Sequence, residues 1–596
     1  MASVRLALAT AVVACALAGP AFVWAAPAER AARVDGVDDR ALKAAIERAV
    51  GEQRAAPANR LESRRRARDA ADNAEALLRS EAYYASVIEP DIGEGDQPPA
   101  FIKVTPGTRF LFADPKVDWI APEPGVAAKA ASLEALDIVP GAPGRAADIL
   151  DAEGRAVAAL QFYGHADAVA QPREVIVDHA DKTVRPTFKI AAGAPVRLGA
   201  IRLEAAGRTR PGWVNNLAPW KGGDLYTPNA VAELERRLLD AQVYDQVTVA
   251  LAPAAQTDPQ GRRPVVVGLA DRRPRSLEVS AGYSTTEGAD GSLRLSFFNR
   301  LGRADTLALE ARYGELGGRL GVDLSLPHWR RPGRTLKLTA EAFRDTTNAY
   351  DQFGQALRAD LTNRYGRTTY FTRGVSLVQS HVNDNHTVDD GGTGALDLVA
   401  LKGLLALALD RSDDPLNPTR GWRAEARVEP TFVTGEDGLI YARSQAQVSA
   451  YLPVGGAKTV LAGRVRLGSI VGGSYRSVPA FDRFYAGGGG SVRGYGYQSV
   501  GPKYPDGDPQ GGLSLFEASA EVRHNFTQTI GAVAFVDAGS VGQAVNPNFG
   551  AVRYAVGLGL RYNLAFAPIR VDVATPLQRV KGEGLFQLYV SIGQSF

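Results

Sequence analysis

From residue 275 to the end of the chain, apolar and polar side chains alternate with a period of two. Trp422, Ala424, Ala426 and Val428 share one face of a segment, and Arg423, Glu425, Arg427 and Glu429 the other. Phe516, Ala518, Ala520 and Val522 likewise oppose Glu517, Ser519, Glu521 and Arg523. The run Leu336 to Ala342 repeats the scheme. This period belongs to β-strands with one apolar and one polar face. Sixteen such segments begin near residues 275, 291, 303, 319, 334, 353, 367, 395, 421, 440, 458, 512, 530, 550, 568 and 584. A soluble antiparallel sheet can alternate in this way too. An even number of strands of this length also suits a barrel that turns its apolar face to lipid and its charged face to a wet lumen. Closure further removes the free edges that a long sheet would expose. The last segment alternates through Phe586, Leu588, Val590 and Ile592 to a terminal Phe596. The first strand (Ser276–Tyr283) and the last (Gly584–Phe596) are expected to meet at a seam, which Gly593 would weaken.

Residues 27–272 read differently. Helical spacing sits between short strands, and one feature recurs. A helix pattern is followed by a tyrosine after an aromatic or apolar residue, at Tyr83-Tyr84, Phe162-Tyr163 and Val243-Tyr244. Tyr84, Tyr163 and Tyr244 are 79 and 81 residues apart, the period of three copies of one unit. The third copy is clearest. Val196 to Glu204 reads as a strand, and Thr227 can cap a helix that starts at Pro228 and places Val231, Leu234 and Leu238 on one face. Val247–Leu251 and Arg263–Ala270 are two further strands. The order is strand, helix, helix, strand, strand. The opening strand of the first copy, near Arg33, is weak. The run Arg64-Arg65-Arg66-Ala67-Arg68 reads as a solvated helix face. The aromatics after each second helix are expected to join the cores, and residues 27–272 to fold without the barrel.

At the N-terminus, Arg5 precedes an apolar run from Leu6 to Leu17, then Gly19-Pro20 and small residues near Ala25 and Ala26. This is the form of a secretory signal. Its removal would take away Cys15, the single cysteine, and leave no thiol to mispair. The predicted domains are a signal at 1–26, repeats at 27–115, 116–194 and 195–272, and a barrel at 273–596.

Composition narrows the chemistry. With 68 basic and 65 acidic residues, the chain has no general basic field for nucleic acid. One Cys excludes a thiolate-rich metal module. His381 and His386 stand in a loop-like stretch at a spacing unsuited to a helix-face zinc pair. Ser491 lacks the glycine that a nucleophile elbow needs, because Arg493 stands two positions later. The pattern points to no enzyme, no cofactor and no metal site.

One connection, Val471 to Gly511, is far longer than a hairpin loop. It carries Gly487-Gly488-Gly489-Gly490-Ser491-Val492-Arg493-Gly494-Tyr495, a flexible run followed by one arginine. Glu517 and Glu521 face the lumen on the next strand. Asp537 shares a strand face with Gly539 and Gly531, small residues that would leave room for an inserted loop.

At these residues the chain resembles the superfamily of BamA, TamA and the two-partner secretion transporters. Val492-Arg493-Gly494-Tyr495 is similar to its loop signature. Asp410-Arg411-x-x-Asp414-Pro415-x-Asn417-Pro418-x-x-Gly421 is similar to a strand-opening motif. Phe535–Val541, with Asp537-x-Gly539, and Pro568–Leu577 are similar to two others. The resemblance implies α+β POTRA-type repeats (β-α-α-β-β) followed by a 16-stranded antiparallel transmembrane barrel. It further implies that Arg493 folds into the lumen to pair with Asp537. Three repeats resemble TamA in particular. That implies assembly or insertion of outer-membrane proteins together with a TamB-like inner-membrane-anchored partner, acting on unfolded clients and outer-membrane lipid. The alternative is a two-partner secretion transporter that exports an unfolded protein through its lumen. In the wet lumen, an Arg493–Asp537 pair is expected to be worth little more than an exposed one.

Overall fold

The computed structural model describes residues 29–53, 56–205, 207–384, 386, 394–434, 438–456, 458–564, 568–579 and 584–592. The predicted signal segment, Cys15, Gly593 and Phe596 lie outside the described residues. By internal contacts the chain forms two compact units. One holds residues up to 199 with 222–228 and 253–263, and the other 200–221, 229–252 and 264–596.

The first repeat comprises β1 (Glu29–Arg30), β2 (Arg33–Asp35), α1 (Arg40–Val50), β3 (Glu52–Gln53), α2 (Arg60–Ser80), β4 (Val87–Ile92) and β5 (Ala100–Thr105). Asp39 starts α1 by accepting the amides of Ala41 and Leu42. Asn59 accepts the Glu62 amide at 3.0 Å, and Glu62 returns the contact to the Ala58 amide at 2.7 Å. This reciprocal cap satisfies donors that a helix start leaves orphaned. The buried face of α2 is Ser63, Ala67, Ala70, Ala71, Ala74 and Leu78. Its small side chains let the helix lie close on Ile102 and Val104, while Arg64, Arg65 and Arg68 stay in solvent.

The second repeat comprises β6 (Leu111–Phe112), β7 (Lys116–Ile120), α3 (Val126–Leu136), α4 (Ala146–Phe162), β8 (Val169–Asp178) and β9 (Thr183–Ala191). The third comprises β10 (Arg197–Ala205), α5 (Pro211–Asn215), α6 (Pro228–Leu239), β11 (Tyr244–Leu251) and β12 (Arg262–Asp271). In the main sheet of each repeat the last strand is the central one. Two expectations are corrected here. The second sheet begins at β6, before residue 116, because Leu111 and Phe112 pair with Thr183 and Val184. The aromatics after the second helix do not serve each core alike. Tyr244 is buried in the third core, but Phe162 and Tyr163 are exposed. There Gly164, at φ 92°, takes the turn instead, since a Cβ would lie 2.5 Å from Leu225.

Sixteen strands, from β13 (Arg275–Ser284) to β28 (Gln587–Ile592), form a closed antiparallel barrel in sequence order. No described helix is long and apolar enough to cross a membrane, so any crossing falls to the strands. Their starts match the sixteen read from alternation within a few residues. Lengths differ around the wall. β17 (Arg334–Thr346) to β23 (Thr459–Val471) have 13 to 16 residues. Near the seam, β15 (Thr306–Gly314) and β27 (Pro568–Pro576) have 9 each, and β28 has 6 described residues. Among the described residues β13 and β28 share two register pairs, Tyr283↔Val590 and Ser284↔Tyr589.

The third repeat continues into the barrel. Phe298 and Ala304, in and after β14 (Gly288–Phe298), join its core beside Val214 and Leu234. Asn299 Nδ2 donates to Thr209 Oγ1 at 2.8 Å, and that hydroxyl meets the Tyr244 hydroxyl at 2.8 Å. The buried Asp305 carboxylate accepts the amides of Arg300, Leu301 and Arg303. The buried Asn299 and Asp305 side chains of this turn thus have partners, as burial requires. Most of the third repeat thus packs as one unit with the barrel.

Candidate functional site

The long connection leaves β23 and returns at β24 (Ser514–Asn525) through the barrel interior. It brings its own apolar core. Val478, Phe484, Ala486, Val492, Tyr495 and Val500 pack against the inward side chains Tyr441, Ile470, Leu515, Val541 and Ala555. The backbone follows routes that only glycine takes cheaply. At Gly487, φ is 108° and a Cβ would stand 2.3 Å from the Gly496 carbonyl oxygen.

Arg493 lies at the centre, 3% exposed along its side chain. Its Nε and Nη2 donate to the two oxygens of Asp537 at 2.7 and 2.9 Å, a bidentate fork. Its backbone amide adds a third bond to Asp537 at 3.1 Å. Nη2 also lies 2.8 Å from Glu521, and Nη1 3.3 Å from Asp572. The guanidinium stacks on Phe535 at 3.4 Å. Strand alternation explains the convergence. Glu521, Asp537 and Asp572 are lumen-facing positions on β24, β25 (Ile530–Gly542) and β27.

The wall is not simply acidic. Arg523 binds Glu521 at 2.9 Å, and Arg561 of β26 (Arg553–Asn563) binds Asp572 at 2.5 Å. Glu517 takes the Ser491 hydroxyl and Arg466 rather than Arg493. Arg464 reaches the loop carbonyls of Gly490 and Ser491 at 3.3 and 3.1 Å. The expectation of a wet pair is corrected as well. Arg493, Asp537, Glu521 and Asp572 are all nearly solvent-free. Removing one partner of such a buried set costs ~3–5 kcal/mol, far above an exposed pair.

The remaining loop-signature residues sit in the same place. Val492 is fully buried against Gly539, where a Cβ would stand 2.5 Å from Val492 Cγ2. The Gly494 amide donates to the Tyr589 hydroxyl at 3.0 Å. The Tyr495 hydroxyl donates to the Tyr554 carbonyl at 2.9 Å. Gly531 makes no room for the loop, because a Cβ there would meet Asn525 and His524 instead.

The strand-opening motif lies elsewhere, in the turn from β20 (Ala395–Asp410) to β21 (Gly421–Val433). Asp410 accepts the Ser412 amide at 2.9 Å, and Asp414 accepts the amides of Leu416 and Asn417 at 2.7 Å each. Pro415 is exposed and Pro418 buried. Gly421, at φ 98°, leaves 2.1 Å between a Cβ and the Arg411 carbonyl oxygen. These residues build a turn and touch no part of the Arg493 cluster in the described contacts. Val590 is on β28 with its side chain partly exposed.

The histidines need one correction. His381 is on strand β19 (Thr369–Asn383) and pairs with Asp397 at 2.9 Å. His386 is in the following loop, stacked on Tyr504 at 3.6 Å with Asp506 2.8 Å from Nε2. Burial opposes its charging, but Asp506 and the Asp384 carbonyl raise its pKa above the ordinary value. Sequence reasoning missed Phe535, Ser519, Arg561 and Tyr589. Strand alternation would have placed each on the lumen face, but not against the loop.

Comparison with known proteins agrees with this architecture. Residues 299–596, half of the chain, match the model of the Omp85 superfamily domain. The outer membrane protein assembly factor BamA of Neorickettsia risticii (strain Illinois) is 23% identical over 428 residues, covering 68% of this chain and 56% of that protein. The BamA of Neisseria meningitidis serogroup B (strain ATCC BAA-335 / MC58) is 23% identical over 505 residues, covering 73% and 60%. The chain therefore spans a little over half the length of these relatives. The crystal structure of BamA from Haemophilus ducreyi lacking POTRA domains 1–3 superposes with a TM-score of 0.68 at 17% identity, covering 81% of this chain and 99% of that one.

Proposed function

The chain belongs to the Omp85 superfamily, and from that premise we propose that it assembles or inserts proteins in the bacterial outer membrane without a catalytic site of its own. The barrel resides in that membrane, with the N-terminal repeats in the periplasm. In this reading the seam between β13 and β28 opens toward lipid. Its unpaired N–H and C=O groups then template an incoming strand. The short strands beside the seam support this, because a thin apolar band strains the adjoining bilayer and eases insertion. The edges of the repeat sheets offer the same kind of augmentation to a client still in the periplasm. Three repeats suit a TamA-like member working with a TamB-like inner-membrane-anchored partner.

The observation that carries the reading is the loop seated inside the barrel and anchored through Arg493. A barrel whose interior is partly occupied by its own packed loop is better suited to work at its wall than to conduct an unfolded chain. The secretion alternative requires that loop to leave. The test replaces the native chain with Arg493→Ala and Arg493→Lys variants and measures outer-membrane client levels by quantitative proteomics. Arg493→Ala is expected to deplete barrel clients about as far as deletion does. Lysine is expected to rescue poorly, because an ammonium cannot reproduce the bidentate fork. Full client levels with Arg493→Ala would sink the proposal. Loss of one secreted exoprotein with intact barrel clients would favour the transporter.

A further inference from the structure

The lumen loop touches both sides of the seam. On one side, the Gly489 amide donates to Glu287 Oε1 at 2.9 Å. Glu287 lies in the turn between β13 and β14, with its own amide bound by Ser284 Oγ at 2.9 Å. On the other side, the Gly494 amide donates to the Tyr589 hydroxyl on β28 at 3.0 Å. Ser284 and Tyr589 are register partners across the seam. Two loop amides five residues apart thus bind the turn that follows β13 and strand β28, the two sides that must separate if the barrel opens.

The glycine run fits these contacts closely. A Cβ on Gly488 would stand 2.8 Å from Glu287 Oε1, and one on Gly489 2.9 Å from the Tyr589 ring. On Gly494 it would meet Ala555 at 3.0 Å and the Thr575 carbonyl carbon at 3.1 Å. Glycine at these positions therefore does more than allow a turn: it permits close approach to both sides. Tyr589, 2% exposed, packs in one cluster with Val533, Phe535 and Ala574. Phe535 is also the ring beneath the Arg493 guanidinium. A contiguous set of contacts therefore runs from the loop anchor to the seam.

We propose that Glu287 and Tyr589 are positioning residues that clasp the seated loop across the seam, so that loop seating and seam closure favour each other. The proposal rests on the seam reading given above. Coupling of this kind is reciprocal: what unseats the loop loosens the seam, and locking the seam holds the loop.

The test uses the full chain in outer membranes, with Cys15 replaced by serine and cysteines at the register partners Tyr283 and Val590. Two rates are read: disulfide formation on mild oxidation, and protease cleavage within residues 472–513. Heat-modifiable gel migration checks that each barrel is folded. Tyr589→Phe removes only the hydroxyl, and Glu287→Ala the carboxylate. Each is expected to raise loop cleavage several-fold in the reduced form. Oxidative locking of the seam is expected to return cleavage to the parent level. Glu287→Gln, which keeps an acceptor oxygen, is expected to stay nearer the parent. Cleavage unchanged in both Tyr589→Phe and Glu287→Ala overturns the clasp. So does cleavage raised equally in locked and reduced seams, because the side chains would then merely pack the loop. If the locked parent keeps full client assembly, the seam-opening reading fails while the clasp is still judged on the cleavage rates.

Discussion

At Gly539 the absence of one carbon decides whether the loop fits. A Cβ there would press to 2.5 Å on Val492 Cγ2 and 3.3 Å on the Phe516 carbonyl oxygen. Val492 is fully buried and has little room to yield. Overpacking of this size costs about 1–3 kcal/mol. Gly539→Ala is expected to expose residues 472–513 to protease while leaving the barrel heat-modifiable. Val492→Ala removes the clashing methyls, so the double variant should recover protection. A coupling of about 1 kcal/mol or more is expected from the cycle. Additive effects would mean that Gly539 serves the strand rather than the loop. At this scale the sequence identified the loop signature and Asp537, through the resemblance and through alternation. It did not reveal Phe535, Tyr589 or Glu287 as partners. Those identities depend on where a long loop comes to rest, which no local periodicity encodes. Burial of Arg493 was hidden for the same reason: the loop itself excludes the water that an open lumen would hold.

Between elements, the turn from β16 (Gly317–Leu326) to β17 carries a histidine that binds the third repeat. His328 Nδ1 accepts the Gly333 amide at 3.0 Å. Nε2 must therefore carry the proton, and it donates to the Arg237 carbonyl of α6 at 2.7 Å. Burial lowers the pKa of His328, with the Arg237 carbonyl and Asp240 acting against it and Arg364 and Arg237 acting with it. The folded state thus binds protons less readily than the unfolded chain. The stability this gives is present above the ordinary value near 6.5 and is lost as the pH falls from there through the lowered folded pKa. Trp213 lies 6.0 Å from the imidazole. An acid titration should therefore show a step in tryptophan emission with a midpoint below about 6.5. The step should vanish in His328→Gln and in Trp213→Phe. A midpoint above that value, or a step that survives both substitutions, would refute the assignment. Element by element, the sequence was most readable where period was the only signal needed, as in the strand starts of the barrel. It was least readable where packing chose among similar residues. Tyr163 and Tyr244 hold matching positions, yet one is exposed and the other buried, because Gly164 shapes the second repeat's turn against Leu225.

In the molecule as a whole, closure leaves every barrel strand paired on both sides. β19 and β20 match over fifteen residue pairs, from Thr369↔Leu409 to Asn383↔Ala395. β13 and β28 match over two in the described residues, supplemented by Thr285 with Leu588. On the seam-opening reading proposed above, and with each ladder bond contributing on the order of 1 kcal/mol net, this junction should be the first part of the wall to open. Local opening sets how fast amides exchange with solvent. In lipid nanodiscs, amides of β13 and β28 are expected to exchange at least about tenfold faster than those of β19 and β20, a difference of about 1.4 kcal/mol in opening. The loop contributes to this order through the Gly489 and Gly494 contacts. Arg493→Ala should therefore speed exchange at β13 and β28 further while leaving β19 and β20 unchanged. Uniform protection around the barrel would contradict the weak seam. Acceleration spread evenly by Arg493→Ala would mean that the loop braces the whole wall rather than its closing edge.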